Sequence, residues 1–181
     1  LKATVAGVGE LIHDLGASML VFIVGAQFVV VGLLDILSVE LGVNILDMGP
    51  SGPGLLTSAL GVGALIGAAL TVVLIGRRTL SPAILAGMLD TGIPIALISL
   101  ATLPAVAWLL LACSGLGKAF VDVAGRTLMQ RTVRETVISR IFGVQESFRM
   151  AGLAAGSVAA PVIFHVFGSR GAFVVTGLLL P

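Results

Sequence analysis

Residues 17–46 read ASMLVFIVGAQFVVVGLLDILSVELGVNIL, an apolar run interrupted by two acidic side chains, Asp35 and Glu40. At 1.5 Å per residue the run makes a helix of roughly 45 Å. The hydrocarbon core of a bilayer is about 30 Å thick, so this helix can cross it and must tilt or project beyond it. Leu, Val and Gly follow one another without the period-two alternation of a barrel strand, so a helix that satisfies its own backbone hydrogen bonds is the predicted state. The run ends at Asp47-Met48-Gly49-Pro50-Ser51-Gly52-Pro53-Gly54, a dense cluster of turn formers.

The rest of the chain is written in the same way. Of 181 residues, 57% are hydrophobic and 10% charged, and the mean hydropathy is +1.17. A soluble domain carries about 25% charged residues, so the bilayer is the expected solvent and lipid the first partner. The 24 glycines suit helices that pack closely in lipid. A net charge of +1 gives no footprint for nucleic acid. Cys113, the single cysteine, lies in an apolar block and is expected to be a small buried residue, because alone it makes neither an intrachain disulfide nor a metal site. No P-loop, His/Cys metal cluster or Gly-x-Ser-x-Gly nucleophile motif occurs, so no enzyme activity, cofactor or metal is expected. Leu1 is not preceded by a signal-like basic region and Pro181 falls in an apolar run that has just begun, so both ends are read as cuts in a longer protein.

Six segments follow a lead-in. Residues 1–16 place Leu1, Val5, Val8, Ile12 and Leu15 on one stripe, an amphipathic helix suited to the membrane interface. Spans are predicted at about 17–46, 53–75, 82–101, 104–125 and 137–167, with a truncated sixth at 172–181. Alternate connections differ sharply in basic residues. Lys2, Arg77, Arg78, Arg126, Arg131, Arg134 and Arg140 fall in one set and only Arg170 in the other, so the first set is predicted to be cytoplasmic. The turns at 47–54, 102–104 and 168–171 then face outward.

Three stretches carry a resemblance. The lead-in Ala6-Gly-Val-Gly-Glu-Leu-Ile-His-Asp14, the glycine-rich Gly52-Pro-Gly-Leu-Leu-Thr-Ser-Ala-Leu-Gly-Val-Gly-Ala-Leu-Ile-Gly67 with its short basic loop Gly76-Arg77-Arg78, and the connection from Asp122-Val-Ala-Gly-Arg126 through Gln130-Arg131 to Arg140-Ile-Phe-Gly143 and Glu146 stand in order. Together they resemble the C-terminal six-helix half of a major facilitator superfamily transporter, in an exporter-like branch. The resemblance implies an all-α six-helix bundle of two inverted three-helix repeats that works against an N-terminal six-helix half. It also implies a small-molecule substrate moved by alternating access, protons as a coupling ion for efflux, and a bacterial inner membrane. A fragment of this kind is not expected to transport alone.

Charges within spans are costly, about 2.5–3.5 kcal/mol each on insertion scales, so each is a candidate for function. Asp90, Lys118, Glu146 and Arg149 fall roughly 9–13 Å from the cytoplasmic ends of their spans, counting 1.5 Å per residue. Lys118, Asp122 and Arg126 share one stripe and Glu146 and Arg149 another, which predicts contacts of Lys118 with Glu146 and of Asp122 with Arg149, with Asp90 close by. Two readings of this layer stand side by side: a structural salt-bridge cluster, or a cytoplasmic gate or proton relay. Asp35 shares a stripe with Gln27 and Val31. Since the corresponding helix of the resembled family lines the cavity, Asp35 and Gln27 are the implied substrate or proton site, the alternative being an Asp35 that snorkels or is capped by Ser38. Glu40, nearer the outer surface, is expected to be solvated. Gly61, Gly63, Gly67, Gly152 and Gly156 are the expected packing glycines. Pro94 and Pro161 are expected kinks, Trp108 an interfacial anchor, and His165 a solvated side chain. Besides the transporter, a membrane scaffold whose buried charges fix helix register, or a transporter half regulated by a further domain, fits the same residues.

Overall fold

The computed structural model describes residues 15–74, 81–132 and 135–179, with side-chain surroundings for 25–71, 85–127 and 142–179. Residues 1–14 of the predicted lead-in helix, including Lys2, and Arg77, Arg78 and Arg134 lie outside the described residues, as do the side chains of Arg131 and Arg140. The chain is all-helical, with no strand among the described residues: α1 is Leu15–Glu40, α2 Gly52–Leu74, α3 Ser81–Ile98, α4 Pro104–Thr132 and α5 Glu135–Leu178. Gly25–Ile45, Gly52–Thr71, Pro104–Thr127 and Phe142–Leu178 are each long and apolar enough to cross a membrane, and Leu85–Ile98 is a shorter apolar helix. The protein is therefore an all-α membrane protein. Exposed Val158, Val162 and Val166 recur every four residues along α5, an apolar stripe that belongs against lipid rather than water.

Local chemistry sets the breaks. After Glu40 the helix widens into a π-turn, Leu41–Ile45, which frees the Gly42 carbonyl to accept from the Met48 N–H at 2.8 Å. Asp47 and Gly49 take positive φ (49° and 71°), turning the chain back. A side chain on Gly42 would stand 2.9 Å from the Gly52 and Pro53 backbone, so glycine is what lets α2 start against the end of α1. In α5 the break at Gly168 (φ 71, ψ 173) is a reversal. Ser169 lies beside Glu40, whereas Leu179 lines one groove with Gly25 and Phe148, so the terminal arm runs back along α1. The predicted fifth and sixth spans are thus two arms hinged on a single glycine.

α1 packs on α5, α2 on α4, and α3 on both α4 and the terminal arm of α5. The first two pairs are built alike. In α1 and α5, Gly32 faces the Leu153 carbonyl and Gly156 faces the Val29 carbonyl. In α2 and α4, Gly63 faces the Ala112 carbonyl and Gly115 faces the Leu60 carbonyl. Each helix thus offers a glycine and, three positions earlier, the carbonyl that meets its partner's glycine; a methyl group at any of the four would overlap that oxygen. Such close backbone approach is how helices gain packing energy where lipid is as apolar as their side chains. Gly67 and Gly152 extend the two contacts, against Leu116 and Gly25. Gly61 departs from expectation: nothing stands within 4 Å of where its side chain would be, because it faces a cavity rather than a helix.

The apolar core is one-sided. Leu33, Leu37, Leu41, Leu56, Ile95, Ile98, Leu111 and Phe173 are buried together at the end that carries the 47–54 turn, the α3–α4 turn and Gly168. Trp108, the expected interfacial anchor, packs partly buried against this core. Pro94 is buried inside α3, Pro161 is exposed on α5, and His165 is exposed. Cys113, expected to be buried, is exposed on α4.

Gly63→Val and Gly156→Val should each lower stability by about 1–3 kcal/mol, as forced overpacking does. Gly61→Ala should stay within about 0.5 kcal/mol of the parent. Thermal unfolding of the purified protein in detergent measures both, and an unshifted midpoint for Gly63→Val would rule out the backbone contact.

Candidate functional site: a polar cavity beside a charge node

Between the α1–α5 and α2–α4 pairs lies a cavity of about 280 Å³. Its polar lining is Gln27 and Asp35 from α1, Thr57 from α2, Thr91 from α3, and Ser114 and Lys118 from α4, with Val31, Leu60 and Gly61 among the apolar walls. Gln27, Val31 and Asp35 recur every four residues on one face of α1, and Ser114 and Lys118 do the same on α4. Gln27 is 1% exposed; its Nε2 donates to the Lys118 carbonyl at 3.3 Å while its Oε1 has no partner. Ser114 is equally buried and its Oγ is also unpartnered. Buried polar atoms are normally satisfied, so two such atoms in one cavity mark it as built for something polar.

Toward the basic end stands a node of charge centred on an aromatic ring. Phe28, almost fully buried on α1, has the Lys118 ammonium 5.3 Å from its ring centroid and the Arg149 guanidinium carbon 4.2 Å from it. Both distances suit cation–π attraction. Lys118 Nζ also pairs with Asp122 at 3.2 Å, and Arg149 with Glu146 at 3.1 Å. The predicted cross-helix pairs, Lys118 with Glu146 and Asp122 with Arg149, are therefore replaced by pairs within α4 and within α5. The reason is spacing: at i,i+4 and i,i+3 each cation meets its own helix's carboxylate first, and Phe28 occupies the ground between the helices. Asp90, half-buried, has no ion-pair partner among the described residues, and Arg126 is exposed.

Two further expectations change. Ser38 does not cap the Asp35 carboxylate; its hydroxyl donates to the Asp35 backbone carbonyl at 3.1 Å. Glu40 is not merely solvated: Asn44 Nδ2 donates to it at 2.6 Å and the Ser169 hydroxyl lies 3.5 Å away, which ties the end of α1 to the Gly168 reversal. Ser114, Thr57, Thr91 and Phe28 were missed as site residues. Ser114 had a signal, since it extends the Lys118–Asp122–Arg126 stripe by one turn. Thr91 neighbours a charge, and nothing local distinguishes Thr57 or Phe28. Among the described residues no group of three or more His, Cys, Asp or Glu side chains is placed to hold a metal.

No family model, curated protein or solved structure matches the chain.

If Phe28 holds both cations, Phe28→Leu should lose about 1–2 kcal/mol beyond ordinary packing, the sum expected for two such contacts. Phe28→Trp should retain the stability. A double-mutant cycle of Phe28→Leu with Arg149→Met in detergent should leave a coupling of about 0.5–1 kcal/mol. Strict additivity would show that the ring and the guanidinium do not interact.

Proposed function

We propose that this chain is the C-terminal half of a secondary transporter of the kind seen in the major facilitator superfamily, and that the polar cavity is its share of the central substrate site. The observation that carries the proposal is the duplicated glycine contact. Exchanging α1 with α4 and α2 with α5 carries Gly32 onto Gly115 and Gly156 onto Gly63, with their carbonyl partners Val29, Ala112, Leu153 and Leu60 following in step. The same exchange pairs α3 with the terminal arm, and these two also pack on each other, Gly177 against Gly92 and Ala96. α1 runs toward the end with the turns and α4 runs away from it, so the related halves are inverted. This is the internal relation expected of two inverted three-helix repeats.

The exchange also carries Asp35 onto Lys118, each three positions past its glycine, and both line the cavity. In transporters built from inverted repeats the substrate and coupling-ion sites lie at the repeat interface, near mid-membrane. A multi-pass arrangement with the basic connections in the cytoplasm of a bacterial cell follows from the charge asymmetry and the resemblance. Transport then proceeds by rocking of this half against an N-terminal half, with protons as the coupling ion.

Alternating access makes a demand that a static scaffold does not. One residue in the cavity must be reachable from both faces of the membrane, at different times. In the full-length protein carrying Cys113→Ser and Gly61→Cys, a membrane-impermeant maleimide should label the cavity cysteine in right-side-out and in inside-out vesicles. Labelling from one face only, or from neither, is the scaffold's result and would end the transporter reading.

A further inference from the structure

The hydrogen-bonding inventory of the cavity is lopsided, and the geometry points to a protonated amine as its ligand; this rests on the reading of the cavity as a substrate site. Two of the three lining hydroxyls spend their proton inside their own helices. The Thr57 hydroxyl donates to the Pro53 carbonyl at 2.8 Å and the Thr91 hydroxyl to the Gly87 carbonyl at 2.7 Å, both within their own helices. Each therefore leaves lone pairs, not a proton, to the cavity. Gln27 is oriented without ambiguity, because the group that faces the Lys118 carbonyl must be its NH₂; its Oε1, an acceptor, is the atom without a partner. Ser114 Oγ is also unpartnered and is free to accept or to donate.

Charge points the same way. Lys118 is held from the basic side by Asp122 at 3.2 Å and by the face of Phe28. Asp122 is not part of the lining, so the pair cancels at the edge of the cavity. Asp35, more than a third exposed, has no ion-pair partner among the described residues, whereas Lys118, the other charged residue of the lining, has one. Gln27 and Asp35 stand two turns, roughly 12 Å, apart along α1, so an ammonium group in the cavity is met by the Asp35 carboxylate, and charge-assisted hydrogen bonds are the strong kind. An anionic ligand meets the opposite situation, since the lining cation, Lys118, is engaged by Asp122 and the unpaired lining charge is a carboxylate.

The test uses the full-length protein with Cys113→Ser and Gly61→Cys, purified and labelled with maleimide in the presence of three probes of one shape: benzylammonium, benzyl alcohol and benzoate. Benzylammonium at about ten times its half-protecting concentration should slow labelling about tenfold, and the other two at that same concentration should not. Asp35→Asn should abolish the protection while leaving the rate of unliganded labelling and the thermal unfolding midpoint in detergent at the parent values, the latter showing that the variant is folded. Ser114→Ala should raise the half-protecting concentration by about threefold to tenfold, the loss of one hydrogen bond. Equal protection by benzyl alcohol, protection by benzoate, no protection by benzylammonium, or protection that survives Asp35→Asn each overturns the amine assignment. Absence of labelling without any probe instead overturns the substrate-site reading on which it rests.

Discussion

Within a bilayer two apolar helices gain nothing by hiding from water, so everything here depends on how closely their backbones can approach. Gly32, Gly63, Gly115 and Gly156 supply that approach, each set against a carbonyl oxygen of the neighbouring helix. Contacts of the Cα–H to carbonyl type are worth only about 0.5–1 kcal/mol each. Their larger effect is on register. A carbonyl three residues before a glycine, presented by both helices at once, permits one alignment of α1 on α5 and one of α2 on α4. Asp35 and Lys118, each three residues past a register glycine, then arrive in the same cavity. The contacts also explain why a cavity exists: α1 is committed to α5 and α2 to α4, so the space between the pairs is filled by side chains of modest size and by nothing at Gly61.

The polar groups divide into those that are satisfied locally and those that are not. Lys118 with Asp122, and Arg149 with Glu146, each form a nearly neutral unit on a single helix, which lightens the insertion penalty of a lone charge. Phe28 then joins the two units across the bundle without any further ion. Asp35 lacks this protection. Its neighbours one turn away, Val31, Gly32, Ser38 and Val39, include no cation, and Ser38 spends its hydroxyl on the backbone. Gln27 Oε1 and Ser114 Oγ are equally unanswered in the same cavity, while Gln145 Oε1 and Arg149 Nε are buried without a partner outside it.

Much of the fold was legible because it follows from one variable, the length of apolar runs between turn formers. The helices from Leu15, Gly52, Ser81, Pro104 and Glu135 begin close to where composition changes. What composition cannot carry is facing. Gly61 and Gly63 look alike in sequence, yet only Gly63 meets a backbone, because two residues along a helix is a rotation of about 200°. Cys113 was misjudged for the same reason, sitting next to buried Ser114 but pointing away. Lys118 and Arg149 meet on Phe28 rather than in the predicted cross-helix pairs, since depth alone cannot reveal that Phe28 lies between the helices. Glu40 meets Ser169 across 129 positions of chain, a contact that nothing local announces.

The uneven build of the bundle bears on how it could move under the transporter reading. At the end with the turns, a dense core of Leu33, Leu37, Leu41, Ile98, Leu111 and Phe173 is reinforced by Glu40 with Asn44 and Ser169. Separating helices there would open voids in close-packed side chains, which proteins resist because each lost contact is felt. At the other end the close backbone contacts of Gly152 with Gly25 and of Gly67 with Leu116 are supplemented through Phe28 by cation–π contacts, in which a cation remains attracted over much of a ring's face. The two ends are thus built differently, packed side chains dominating at one and glycine contacts with an electrostatic node at the other. Lys118 is at once part of that node and of the cavity wall, so a change in the charge facing Asp35 is felt at the node through a single side chain. The cavity and the charge node thus share one side chain, and the register glycines fix the level at which it stands.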